Sequence, residues 1–323
     1  MSLTIWTNEI FAPAALQLLE KGTSGHRLLS APRASASVLN AGASDPGFAL
    51  VDVAFGQPSL ADCFENKRLK WVEVSSAGYT RYDTEEFGAA FRARGAAFTN
   101  ASGVFADPCA QHVLSMMLAF ARQILPSYRD QITDHSWHYD ERRYHSRLLT
   151  GQTVLLLGFG AIGRRLAELL APFGVRLLAY RRRALAAAGV EIVGAEALAG
   201  ALKTADHVVN ILPANAATRD FMNQERFAQI KPSAQFYNIG RGTTVDQNAL
   251  VDALRAGRLA AAYLDVTEPE PLPPEHELWT TPNCFITPHT AGGRHDQDEA
   301  LVRHFLANLV LFERGEALID RVF

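Results

Sequence analysis

The stretch Thr153–Arg183 holds the residues whose types and spacing bear most directly on chemistry. An apolar run, Val154-Leu155-Leu156-Leu157, ends at Gly158-Phe159-Gly160-Ala161-Ile162-Gly163 and passes into a helical pattern with Leu166, Leu169 and Leu170. That order is strand, glycine turn, helix. It gives each glycine a job: Gly158 makes the tight turn, Gly160 lets backbone approach a pyrophosphate, and Gly163 lets helix pack on strand. Peptide N–H groups at the helix start then take the phosphates. A second apolar strand, Val175 to Tyr180, delivers Arg181, Arg182 and Arg183 to its carboxyl end. A site that prefers NAD places Asp or Glu about 20 residues after the glycine motif, to bind ribose hydroxyls. No carboxylate stands there. Cations cannot accept hydrogen bonds from a ribose but suit a 2′-phosphate. The expectation is therefore NADP(H) preferred with NAD(H) possible, and Arg181 and Arg182, nearest the strand end, as the ligands.

Other candidates carry less. Cys63, Cys109 and Cys284 lie far apart with no C-x-x-C spacing, which argues against a disulfide framework or zinc knuckle and for a reducing cytoplasm. His135 and His138 could be written as a metal pair, but no third ligand with matching spacing follows, so no metal is expected. Around them, Tyr128, Trp137, Tyr139 and Tyr144 are mixed among Arg129, Arg142, Arg143 and Arg147. So many rings in a polar stretch point to a buried or interfacial role, with the segment around Trp137 expected to reach toward an active site, within the chain or across a dimer interface.

The elements that must position these residues read as alternating strands and helices. In the first hundred residues the strands are Leu3 to Trp6, His26 to Leu29, Ala49 to Phe55 and Lys70 to Val74, with a helix over Thr84 to Ala93 capped by Thr84. Pro108 to Leu125 repeats apolar positions at helical spacing and reads as a boundary element. Its longest apolar run, Val113 to Ala121, is too short to span a bilayer. After the glycine motif come strands at His207 to Leu212, Gln235 to Ile239, Ala260 to Leu264 and Cys284 to Thr287, and helices around Gln224 to Ile230, Asp246 to Arg255 and Arg294 to Phe312. Buried strands alternating with helices imply a doubly wound parallel sheet, with ligands at the carboxyl ends of its strands.

Length and composition agree. The 323 residues have room for two domains, 48% of them are hydrophobic and 20% charged, and the net charge of -3 gives no electrostatic case for a nucleic-acid or membrane partner. Met1 to Asn8 show no signal-peptide pattern.

Three segments at strand ends complete the pattern: Asn238-Ile239-Gly240-Arg241-Gly242, Leu264-Asp265-Val266-Thr267-Glu268-Pro269-Glu270-Pro271, and Ile286-Thr287-Pro288-His289-Thr290-Ala291-Gly292-Gly293. With GFGAIGR, their order and spacing resemble the D-isomer-specific 2-hydroxyacid dehydrogenase family over nearly the whole chain, most strongly from Gly151 to Gly293. DVTEPEPLP looks especially like glyoxylate and hydroxypyruvate reductases. The resemblance implies an α/β fold, with a doubly wound Rossmann nucleotide domain (103–290) inserted into a smaller flavodoxin-like substrate domain (1–102 and 291–323), and a homodimer. It implies an enzyme that interconverts a small 2-keto acid and its D-2-hydroxy acid. Arg241, Glu270 and His289 fall on the family's catalytic positions, Asp265 near the nicotinamide carboxamide, and Leu212, Pro213, Ile239 and Gly240 among the cofactor contacts.

The chemistry fits these types. A planar guanidinium grips a carboxylate through paired hydrogen bonds, so Arg241 suits the substrate and can polarise its keto oxygen. Hydride arrival on the carbonyl carbon leaves an alkoxide, and His289 offers a proton near neutrality. Glu270 would hold the ring and favour its charged form. Ser76, Ala77 and Gly78, in Ser75-Ser76-Ala77-Gly78, sit where the family's loop offers backbone N–H groups to the carboxylate. Thr80 stands where an aspartate is usual and Ser102 where a proline often stands, which bears on the substrate's identity. The alternative is a nucleotide-sensing binding protein of the same fold, like a corepressor that resembles these enzymes. It would tolerate loss of Arg241, Glu270 or His289, and all three are present.

Overall fold

The computed structural model describes residues 2–31, 44–181 and 188–323. By internal contact they divide into two compact units, Met1–Phe105 with Arg294–Phe323, and Ala106–Gly293.

The first unit holds five strands: β1 (Thr4–Thr7), β2 (Arg27–Ser30), β3 (Val53–Gly56), β4 (Trp71–Val74) and β5 (Ala97–Thr99). They form one parallel sheet in the order β2-β1-β3-β4-β5, the flavodoxin-like arrangement. β3 and β4 are buried along their whole length, as a parallel sheet covered on both faces requires. On one face Phe305, from the helix Gln297–Arg314, stacks on Phe55 and Trp71 with ring centroids 4.3 and 5.2 Å away. On the other, Val72, Val74, Phe87, Phe91 and Phe98 form a second core.

Expectation and structure part company in places. The strand expected over Ala49 to Phe55 is shorter, because Pro46–Leu50 is a 3₁₀ turn: Pro46 fixes the turn's first φ and the Asp45 carboxylate accepts the Gly47 N–H. The helix expected over Pro108 to Leu125 runs instead from Ser102 to Ala121, across the division between the units. Asn100 Oδ1 accepts the Ser102 N–H at its start, and Gln123, with φ of 58°, breaks the backbone after it. At 20 residues it is long and apolar enough to cross a membrane by length and composition, contrary to the expectation from Val113 to Ala121. Yet Ala110, Val113 and Met117 are fully buried within the protein, as core residues are.

The second unit holds seven strands: β6 (Thr153–Leu157), β7 (Arg176–Tyr180), β8 (Val190–Val193), β9 (His207–Asn210), β10 (Gln235–Asn238), β11 (Ala261–Leu264) and β12 (Cys284–Ile286). All are parallel, in the order β12-β11-β10-β9-β6-β7-β8. The order reverses between β6 and β9. The two chains therefore leave the sheet in opposite directions there and open a crevice at the carboxyl ends, where doubly wound sheets bind ligands. β5 and β8 are additional to the strands expected from the sequence.

The segment expected to be aromatic and basic folds as two helices, Ile124–Thr133 and Tyr139–His145, tied by Arg142, which donates to both carboxylate oxygens of Asp130 at 2.8 and 2.9 Å. Trp137 is 89% and Tyr144 86% exposed, so burial within the chain is not their role.

Candidate active site

The glycine turn does what its spacing asks. Gly158 has a φ of 101°, and a Cβ there would stand 3.1 Å from the Ile211 carbonyl oxygen, across the β6–β9 crevice. A Cβ on Gly163 would meet the Gly158 carbonyl oxygen at 2.8 Å, so the helix Ala161–Leu170 can pack this close only as glycine. At Gly160 the same position is open. Phe159 is buried beneath the turn, and Ala161 and Ile162 open the helix at its exposed amino end. Leu212 and Pro213 follow β9, and Ile239 and Gly240 follow β10, so both pairs stand at carboxyl ends beside the crevice. Arg181 follows β7, and its Nη1 is buried without a hydrogen-bond partner among the described residues. A buried, unpaired guanidinium nitrogen is costly and is suited to an anion, so these residues fit a phosphorylated dinucleotide. Arg182 and Arg183 lie outside the described residues.

Arg241 directly follows the β10 end, and Gly242 lies so tightly on the Thr267 carbonyl that no side chain could replace it. This close approach sets the Arg241 turn against the turn after β11. There Glu270 sits between two cis bonds, Glu268–Pro269 and Glu270–Pro271, and its Oε1 accepts the Thr267 N–H at 2.9 Å. Its Oε2 meets His289 Nδ1 at 2.8 Å. Burial pushes the Glu270 carboxyl up, but hydrogen bonds from His289 and Thr267 and the charges of His289 and Arg241 outweigh it, and the group lies below its ordinary value. Burial draws the Arg241 guanidinium down, opposed by Glu270 and Cys109. The three residues the sequence singled out at successive strand ends thus form one electrostatic unit.

His289 has a φ of 54°, a conformation rare outside glycine, and its N–H donates to the Asp265 carbonyl at 2.8 Å. The Asp265 carboxylate accepts the Thr290 N–H at 2.8 Å, the Ala291 N–H at 2.9 Å and the Thr287 hydroxyl at 2.5 Å. These three partners belong to the loop that carries His289, and the Tyr263 hydroxyl lies 3.5 Å from the same carboxylate. Cys109, which the sequence gave no reason to place here, is buried close enough to sense Asp265 and Arg241; burial pushes its thiol up to about 12. His112 and Tyr263 also join this cluster unannounced, since each reads as an ordinary member of an apolar helix or strand.

Ser76, Ala77 and Gly78 belong to the first unit, in the turn after β4. The Ser76 hydroxyl donates to the Gly78 carbonyl at 2.7 Å, and the Ser76 and Ala77 carbonyls accept from the Ala101 N–H and Asn100 Nδ2 at 3.1 and 2.8 Å. Those contacts fix the turn through its oxygens. His135 and His138 gather no further ligand, and no metal-binding cluster is found among the described residues.

A seven-stranded doubly wound sheet with a glycine turn at its switch point and ionisable residues at its carboxyl ends defines a dinucleotide-dependent enzyme. The family model for the D-isomer specific 2-hydroxyacid dehydrogenase NAD binding domain matches residues 114–291. A glyoxylate reductase of Pyrococcus furiosus is 35% identical over 263 residues, 79% of this chain and 76% of that one. Among solved structures, a D-isomer specific 2-hydroxyacid dehydrogenase from Xanthobacter autotrophicus in complex with NADPH and MES superposes with a TM-score of 0.84 at 28% identity, covering 100% of this chain and 98% of that one. An NADPH-dependent glyoxylate/hydroxypyruvate reductase from Sinorhizobium meliloti, in complex with NADP and malonate, gives 0.75 at 25% identity over 100% and 97%. The chain belongs to the D-isomer specific 2-hydroxyacid dehydrogenases, and is an oxidoreductase that uses a nicotinamide cofactor.

Proposed function

We propose that the protein reduces a small 2-keto acid of the glyoxylate or hydroxypyruvate kind to its D-2-hydroxy acid, with NADPH preferred over NADH. The observation that carries this reading is the His289–Glu270 contact of 2.8 Å, with the Arg241 charge felt at the same carboxylate. When bound, the reduced nicotinamide supplies the hydride. Arg241 grips the substrate carboxylate and polarises the keto oxygen. His289 engages Glu270 through Nδ1, which leaves Nε2 to deliver the proton to the nascent alkoxide. Glu270, ionised because its carboxyl is held down, keeps the ring oriented and favours its protonated form. Ser76, Ala77 and Gly78 are read as offering backbone N–H groups to a substrate carboxylate, so that the first unit serves as the substrate domain and the second serves the nucleotide.

The glycine turn from Gly158 to Gly163 receives the pyrophosphate, Leu212, Pro213, Ile239 and Gly240 line the nicotinamide end, and Asp265 stands near its carboxamide. Arg181 and Arg182 bind the 2′-phosphate. Support for that choice is the unpaired Arg181 nitrogen, and the NADPH and NADP bound to the Xanthobacter and Sinorhizobium proteins. Each charge-assisted bond contributes about 1.5–3 kcal/mol, so the preference is on the order of 10- to 100-fold. The working form is a homodimer in a reducing cytoplasm, in which exposed Trp137 finds its cover against the partner, near the active site. The test is kcat/KM for a panel of small 2-keto acids with NADPH and with NADH, with the chirality of the product. Turnover of none of them, or an L product, overturns the reaction; an NADH preference overturns the role of the arginines.

A further inference from the structure

The hydroxyl of Tyr263, on fully buried β11, touches two partners at once: His112 Nε2 at 2.6 Å and Thr287 Oγ1 at 2.5 Å. Thr287 Oγ1 in turn lies 2.5 Å from Asp265 Oδ1. Each hydroxyl has one proton to give, and that fixes the direction of the whole chain. A carboxylate only accepts, so the Thr287 proton goes to Asp265. The Tyr263–Thr287 contact then has a proton only if Tyr263 supplies it. With its own proton spent on Thr287, the Tyr263 oxygen accepts from His112, which must carry hydrogen on Nε2. Burial pushes the Tyr263 hydroxyl up, so it stays protonated and able to donate.

We propose that Tyr263 and His112 are positioning residues for the reaction, acting through Thr287 and Asp265 to hold the loop that presents His289. The proposal rests on the reading of His289 as proton donor. Three hydrogen bonds run in one sense and end on the carboxylate, so each polarises the next. That same carboxylate accepts the N–H groups of Thr290 and Ala291, and the Asp265 carbonyl accepts that of His289. His289 sits at a positive φ that the loop does not hold unaided. The chain from helix Ser102–Ala121 through β11 therefore fixes the carboxylate on which the loop's conformation depends. Neither residue touches the substrate in this scheme. Their effect is on how accurately the ring is aimed, and misplacement by about 1 Å costs up to about 100-fold in rate.

Tyr263→Phe removes the donor and keeps the ring. The expected result is kcat about 10-fold lower with KM and the Kd for NADPH within about 2-fold. His112→Leu is expected to match it, His112→Gln, whose amide can donate in place of the imidazole, to recover most of the parent rate, and the double variant Tyr263→Phe/His112→Leu to be no worse than either single one. A parent-like kcat in Tyr263→Phe, equal loss in His112→Gln and His112→Leu, or additive losses in the double variant overturns the proposal. Amide exchange at Thr290 and Ala291 reads the same device without turnover: faster exchange in Tyr263→Phe is expected, and unchanged exchange overturns it. An inactive parent with faster exchange in the variant would sink the proposed reaction and leave the positioning chain standing.

Discussion

A histidine that delivers a proton needs a neighbour that keeps the proton on it and cannot carry it away. In the proposed mechanism Glu270 meets both needs, since its carboxyl is held below its ordinary value by His289, Thr267 and Arg241 against the upward push of burial. His289→Ala is expected to lower kcat by on the order of 100- to 10,000-fold while NADPH binding, measured by fluorescence titration, is nearly unchanged. Glu270→Gln keeps the hydrogen bond and removes the charge. A depressed carboxyl stays ionised until the pH falls below its ordinary 4.5, so over the neutral range Glu270 carries its charge in the parent. In Glu270→Gln, which lacks that charge, reductive activity is expected to fade at a lower pH than in the parent. A pH profile of kcat that superposes on the parent's would show that the pair does not act as a unit.

Among the elements, the turns do the assembling. Gly242 lies against the Thr267 carbonyl, so the Arg241 turn and the Glu270 turn are spaced by the absence of a side chain. Gly242→Ala drives a methyl into that oxygen and is expected to cut kcat at least about 10-fold and to lower Tm by several degrees, read by calorimetry. Much of this was legible in the sequence. The strand–turn–helix at Gly158, the strand ends at Arg241, Glu270 and His289, and the cap at Thr84 each carry a local signal that tertiary context does not override. β5 and β8 were not read from the sequence, although strands as short, β1 and β12 among them, were. The Ser102–Ala121 helix was misplaced because Pro108 reads as a helix start but stands inside it. Tyr263 and His112 were invisible as site residues for a different reason: their partners are 24 and 151 residues away in the chain, and no pattern of spacing reports such a contact.

At the scale of the molecule, the first unit carries a buried charge cluster of its own. Glu73, with no exposed surface, meets His304 Nδ1 at 3.0 Å and Asn308 Nδ2 at 2.7 Å, and Asp320 meets His304 Nε2 at 3.3 Å. Burial draws the His304 ring down, but the two carboxylates outweigh it and bring it up to about 9. A histidine raised from 6.5 in the folded state stabilises fully below that value and loses the contribution as pH rises through about 9. The contribution is about 3 kcal/mol at its fullest. Tm should therefore fall between pH 7 and 10, and in His304→Gln the fall should be much smaller, starting from a lower value. Equal slopes of Tm with pH would mean the ring is not charged in the native protein.

The division of the chain also sets an order of manufacture. The first five strands leave the ribosome early, yet Phe305, which covers Phe55 and Trp71, and Phe323, whose carbonyl accepts the Phe98 N–H at 3.0 Å, come from the last segment of the chain. Until the whole of Ala106–Gly293 has been translated, Phe55 and Trp71 lack this cover. The first unit thus completes its core only with the last segment of the chain, while the inserted unit, contiguous in sequence, can fold as it emerges.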